Sequence, residues 1–137
     1  MKFLLKTKAY ISAALAILVF TLTGCASFTK TSYQTLATTA VMVDSARGAY
    51  STFYKEGKVS PELDVKVLAA YTKYQSAMKV AIKSVQLYDN LKKQGLTVSP
   101  NQANTNIGYL QVAISELFKL FTDAGVPKLG DIPVEKR

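Results

Sequence analysis

There is no histidine anywhere in the 137 residues of this chain. That absence removes the commonest general base and the commonest ligand for transition metals. Cysteine occurs once, at position 25, so no intramolecular disulfide can form, and without histidine no Ser-His-Asp or Cys-His catalytic arrangement can be assembled. Glycine-rich phosphate loops and calcium-loop spacings are missing as well. Carboxylates are few, nine against seventeen lysines and arginines, for a formal net charge of +8. These shortages argue against an enzyme, a metal centre and a bound cofactor.

The first 24 residues read as a unit. Lys2, Lys6 and Lys8 form a positive stretch, and Ile11 to Leu22 (ISAALAILVFTL) is apolar and uncharged, the pattern of a secretory signal peptide. Counted generously from Ala9 to Gly24, the apolar run has 16 residues. A helix needs roughly 20 to cross a bilayer, so a permanent span is disfavoured. Removal of residues 1–24 leaves 113 residues, the size of one domain, with a net charge of about +5. A basic surface can attract nucleic acid, anionic lipid or acidic polymers. Export argues against nucleic acid as the partner.

The apolar run closes on Leu22-Thr23-Gly24-Cys25, a branched apolar residue and two small ones before a cysteine. This resembles the lipobox of bacterial lipoproteins. The chemistry suits it, because a thiol is the nucleophile that lipid transfer needs and small residues fit a protease site. The resemblance implies that the Cys25 thiol receives a diacylglyceryl group, that signal peptidase II cuts before Cys25, and that the new amino group is acylated, for example with palmitate. Several acyl chains together make anchoring stable. Ala26, not aspartate, follows the cysteine. In diderm bacteria the family rule then implies an outer-membrane anchor with the domain on the periplasmic face, and in a monoderm host the cell membrane.

Beyond the cysteine, two loop signatures divide the chain. Gly57-Lys58-Val59-Ser60-Pro61 and Gly95-Leu96-Thr97-Val98-Ser99-Pro100 each read as helix stop, short loop, helix start. Gly57 and Gly95 suit the left-handed position after a helix, Ser60 and Ser99 suit N-caps, and Pro61 and Pro100 suit the first helical position. Gln102, three after Ser99, fits a capping box. Helices are expected over about Thr31 to Glu56, Pro61 to Gln94 and Pro100 to Ala124. The second carries Val67, Tyr71, Tyr74, Met78, Ala81, Val85 and Tyr88 in alternating steps of four and three, a coiled-coil-like seam. The third repeats it with Ala103, Ile107, Leu110, Ile114, Leu117 and Phe121. The first offers Leu36, Ala40, Val43, Tyr50 and Phe53, interrupted at Arg47 and Gly48.

Short loops force alternating directions, so the expected fold is all-α, an up-down-up three-helix bundle with coiled-coil-like packing after a cleaved signal peptide. The expected organisation is a signal peptide over 1–24, a lipidated tether over 25–30, the bundle over 31–125 and a non-helical tail over 126–137. Pro127, Gly130 and Pro133 break the tail, which Leu129, Ile132 and Val134 would let drape on the bundle. The second helix is expected to be the longest and to project or kink near Asp89-Asn90.

Several residues have both a bland and a functional reading. Lys66, Lys73, Lys79, Lys83, Lys92 and Lys93 crowd the second helix. They read as a solvated face or, centred on Lys66, Lys73, Lys79 and Lys83, as a loose basic surface for anionic headgroups, an acidic polymer or an acidic protein of the cell envelope. Tyr50, Tyr54, Tyr71, Tyr74, Tyr88 and Tyr109 read as core packing or as the lining of a ligand groove or interface. Glu62 and Asp64 sit where a helix dipole favours negative charge. Asp44 is placed to pair with Arg47 three residues on. The expected function is that of a lipid-anchored, non-catalytic helical interaction or structural module near the membrane. The alternative is a small-ligand-binding protein or a prophage-associated envelope or lysis accessory protein. Small size plus helical content resembles uncharacterised short lipoproteins of proteobacteria and their prophages, and this resemblance carries no functional residue.

Overall fold

The structure, a computed structural model, describes residues 25–127. The segment expected to be a signal peptide, residues 1–24 with the expected lipobox positions 22–24, lies outside the described residues, as do tail residues 128–137 with Leu129, Ile132 and Val134. Three helices make up the described chain: α1 (Cys25–Lys55), α2 (Pro61–Lys93) and α3 (Asn101–Asp123). There is no strand among the described residues. The fold is the three-helix bundle expected from the seams.

Both loops end their helices by the same backbone chemistry. Gly57 adopts φ +71° and Gly95 φ +79°. After α1, Gly57 N–H donates to the Tyr54 carbonyl and Lys58 N–H to that of Phe53. After α2, Gly95 N–H donates to Lys92 and Leu96 N–H to Leu91. These paired bonds are the Schellman arrangement, which satisfies carbonyls a helix end leaves open. Gly125 repeats it after α3 at φ +88°, with its N–H on Thr122 and that of Val126 on Phe121. The starts also match their residue types. Ser60 Oγ accepts from Leu63 N–H at 3.2 Å ahead of Pro61, with Glu62 and Asp64 in the first turn. Ser99 Oγ accepts from Asn101 N–H at 3.2 Å. The expected return bond from Gln102 to Ser99 does not form among the described residues, and α3 begins at Asn101 rather than Pro100.

The seam positions fill the core. Leu36, Val43 and Tyr50 of α1, Val67, Tyr74, Ala81, Val85 and Tyr88 of α2, and Ala103, Leu110, Leu117 and Phe121 of α3 are all buried. Ala40, Phe53, Tyr71, Met78, Ile107 and Ile114 flank them half-buried. α2 and α3 are the most closely associated pair. Alanines at 70, 81, 103 and 113 keep that interface thin, whereas α1 packs with the larger Leu36, Val43 and Tyr50. Gly48 leaves α1 continuous, and α2 runs through Asp89 and Asn90 without a break.

The start of α1 differs from expectation. Residues 25 to 30, read from sequence as a tether, belong to the helix, which opens at Cys25. A tertiary partner explains the extension. The Phe28 ring meets Tyr88 edge-on, with centroids 4.9 Å apart, and Ser32, one turn on, is buried. At the other end, Val126 is buried just past Gly125, so the chain stays packed on the bundle through that residue.

Candidate functional site

Lys66, Lys73, Lys79 and Lys83 are all exposed on α2. They do not form one surface. Lys66 and Lys73 are seven residues apart and share a side of the helix, while Lys79 and Lys83, one turn apart, share a side turned roughly 80–140° away, at about 100° per residue. Lys73 Nζ is also tied across to Glu116 Oε2 of α3 at 2.9 Å, which spends part of its charge inside the bundle. An exposed pair of this kind contributes at most about 1 kcal/mol. Lys93 Nζ lies 2.6 Å from Asp89 Oδ2 one turn before it, an interaction that raises the Lys93 pKa. Cys25 is the first residue of α1.

The tyrosines divide between the two readings. Tyr74 and Tyr88 are core, and Tyr109 is exposed. Tyr50, itself buried, lines with Tyr54 and Tyr71 a cleft between α1 and α2, also lined by Phe121 of α3, with a volume of about 270 Å³. Arg47, Ser51, Asp64, Val67 and Leu68 complete it. The Tyr50 hydroxyl donates to Asp64 Oδ1 at 2.6 Å. Burial first, and then the Asp64 bond and charge, push the Tyr50 phenol well above its ordinary pKa. Tyr74 moves the same way, through burial and then the charge of Asp44.

Arg47 corrects a local expectation. It pairs with no carboxylate among the described residues; Nη1 donates to the Tyr71 hydroxyl at 3.0 Å, and the guanidinium stands 4.2 Å from that ring's centroid. A stacked, hydrogen-bonded guanidinium combines cation–π attraction with a directional bond. An i,i+3 carboxylate on an exposed helix face offers only a few tenths of a kcal/mol. The cleft is thus polar at its rim and aromatic within, but Arg47 is already paired with Tyr71 and Asp64 with Tyr50. Its volume falls just under the roughly 300 to 1,000 Å³ of small-molecule sites.

A second, smaller cavity of about 80 Å³ lies where the α2–α3 loop meets the bundle, lined by Tyr88, Leu91, Val98, Ser99 and others. The buried Tyr88 hydroxyl has no hydrogen-bond partner among the described residues. Among those residues no three potential metal-ligating His, Cys, Asp or Glu side chains come together, and no helix is long and apolar enough to cross a membrane. No family model matches the chain, and no curated protein or solved structure is similar to it.

Proposed function

We propose that this protein is a lipid-anchored, non-catalytic module of the bacterial cell envelope that holds or recruits another envelope component close to the membrane. The observation that carries the reading is the junction at Cys25. The cysteine that closes the lipobox is also the first residue of a helix 31 residues long, and that helix is packed into the bundle from Phe28 onward. Acylation there fixes a rigid domain directly on the lipid surface, a geometry suited to presenting faces at a set height. The outer membrane, periplasmic side, follows from Ala26 in a diderm host. Crosslinking in intact cells then identifies what the domain holds.

The mature N-terminus is the decisive test. Mass spectrometry of the protein from cells is expected to find a chain starting at Cys25 and carrying diacylglyceryl and acyl groups. Cys25→Ser, or inhibition of signal peptidase II, should leave the unprocessed precursor. An unmodified Cys25 in a mature chain, or a start elsewhere, overturns the reading.

A second reading, binding of a small ligand, is favoured by the Tyr50–Tyr54–Tyr71 cleft. Its limited volume and internally paired Arg47 and Asp64 restrict it to a compact aromatic or cationic molecule that displaces the Arg47–Tyr71 contact. Tyrosine fluorescence or chemical shifts at Tyr71 that respond saturably to such a molecule would support it.

A further inference from the structure

The Tyr50–Asp64 bond joins the end of α1 to the start of α2, and the Phe28–Tyr88 contact joins the start of α1 to the end of α2. The two helices are therefore antiparallel, and α2 returns toward Cys25. Cys25 lies three residues before Phe28, about 4.5 Å along the axis. Lys93 lies five residues beyond Tyr88, about 7.5 Å in the same direction, at 1.5 Å per residue. The end of α2 and its loop thus reach past the level of Cys25.

What projects there is specific. Leu96, just after Gly95, leaves 51% of its surface exposed, and Lys92 and Lys93 are exposed beside it. Charge is sorted along the bundle in the same sense. Among the described residues, the half nearest Cys25 sets Lys30, Lys83, Lys92 and Lys93 against Asp89 alone, with Lys79 close to the midpoint. In the far half Arg47, Lys55, Lys58, Lys66, Lys73 and Lys119 are balanced by Asp44, Glu56, Glu62, Asp64, Glu116 and Asp123. Asp89 is held by Lys93, and Lys92 meets no carboxylate among the described residues. α1 and α3 both start at this end with no acid in their first turns, so two positive helix termini face the same way, while Lys92 and Lys93 cover the negative terminus of α2.

We propose that this end of the bundle is a docking surface for anionic phospholipid, in which Leu96 enters the headgroup layer and Lys30, Lys92 and Lys93 meet the headgroup phosphates. The inference rests on the lipidation of Cys25 proposed above, since the anchor sets which end meets the bilayer. Lysine suits the role because its stem lies along apolar surface while the ammonium stays at headgroup level.

The test uses the full chain, processed in cells and reconstituted into vesicles of phosphatidylcholine with or without phosphatidylglycerol. A fluorophore is placed through Thr97→Cys, next to Leu96, or through Lys58→Cys at the far end, and headgroup-nitroxide lipid serves as quencher. Mass spectrometry of each preparation reads the lipid on Cys25 independently. In anionic vesicles the label at 97 should be strongly quenched and the label at 58 should behave as in water. Lys92→Ala should lower the ratio of docked to undocked molecules about fivefold, the effect of one charge near an anionic surface, and neutral vesicles should lower it further. Equal quenching at 97 and 58 on lipidated protein overturns the docking surface alone. Strong quenching at 97 that ignores both Lys92→Ala and vesicle charge overturns the assignment of anionic headgroups. Absence of lipid on Cys25 overturns the anchoring reading, and this inference with it.

Discussion

Replacing Tyr50 by Phe removes one hydroxyl and leaves the ring, which packs 5.3 Å from Phe121. The lost bond ran to Asp64 at 2.6 Å and was part-buried. A hydrogen bond to a charged group is worth about 1.5–3 kcal/mol. Asp64 keeps some water and the α2 dipole in the variant, so the lower part of that range applies, about 1.5–2 kcal/mol near neutral pH. The pH dependence carries the sharper information. Folding raises the Tyr50 pKa above its ordinary value near 10, so above pH 10 the unfolded chain sheds a proton that the folded chain still holds. Stability from this group is complete below pH 10 and is lost as pH rises toward the folded pKa, by about 1.4 kcal/mol per pH unit for one proton. Tyr50→Phe lacks this loss, so the two stability curves should converge as pH increases. Urea unfolding followed by circular dichroism from pH 7 to about pH 11 measures both. Tyr74, whose pKa is also raised, stays in both proteins and cancels in the difference. Curves that run parallel through pH 10 to 11 would refute the raised Tyr50 pKa, which burial and then the Asp64 bond produce.

Two further outcomes test the backbone and the core. Gly48 sits inside α1 with open space around the position a methyl group would take, nothing lying within 4 Å of it, whereas Gly125 holds φ +88° with Phe53 at 3.5 Å. Gly48→Ala should therefore stabilise the protein by about 0.5–1 kcal/mol and Gly125→Ala should destabilise it by about 1 kcal/mol or more, read as opposite shifts in melting temperature; shifts of the same sign would refute the assigned roles. Tyr88→Phe keeps the ring against Phe28 and deletes a buried hydroxyl without a partner, so it should cost less than about 0.5 kcal/mol or raise stability. A loss above about 2 kcal/mol in denaturant unfolding would mean that the hydroxyl is bonded after all.

The bundle was legible in sequence because its signals are local and redundant. Steps of four and three from Val67 to Tyr88 and from Ala103 to Phe121 mark one face of each helix, and Gly57, Ser60-Pro61 and Gly95 mark where helices must stop and start. What escaped local reading has a partner far along the chain. Residues 25 to 30 carry no strong helical pattern; they are helical where Phe28 finds Tyr88, sixty positions away. Arg47 has a carboxylate three residues back, yet it stacks on Tyr71 of another helix. Gly125, which sequence reading did not single out, takes the same positive φ after α3 that Gly57 and Gly95 take after α1 and α2.

The cleft shows the same limit more sharply. Its wall residues come from all three helices, and none of the spacings among Arg47, Tyr50, Asp64, Tyr71 and Phe121 is a motif. The tyrosines looked alike in sequence, and only the crossing of α1 over α2 separates Tyr50 and Tyr71, which meet polar partners, from Tyr88, which does not. The lysines reverse the lesson. Their scatter around α2 follows from 100° per residue and is visible in the sequence, but sorting by helix face hides the property that matters, which is height above Cys25. Measured along the bundle axis among the described residues, the balanced half cancels and the excess positive charge gathers at the end where the lipid would sit. Antiparallel packing makes that sorting, because it folds Lys92 and Lys93 back beside a cysteine from which almost seventy residues separate them.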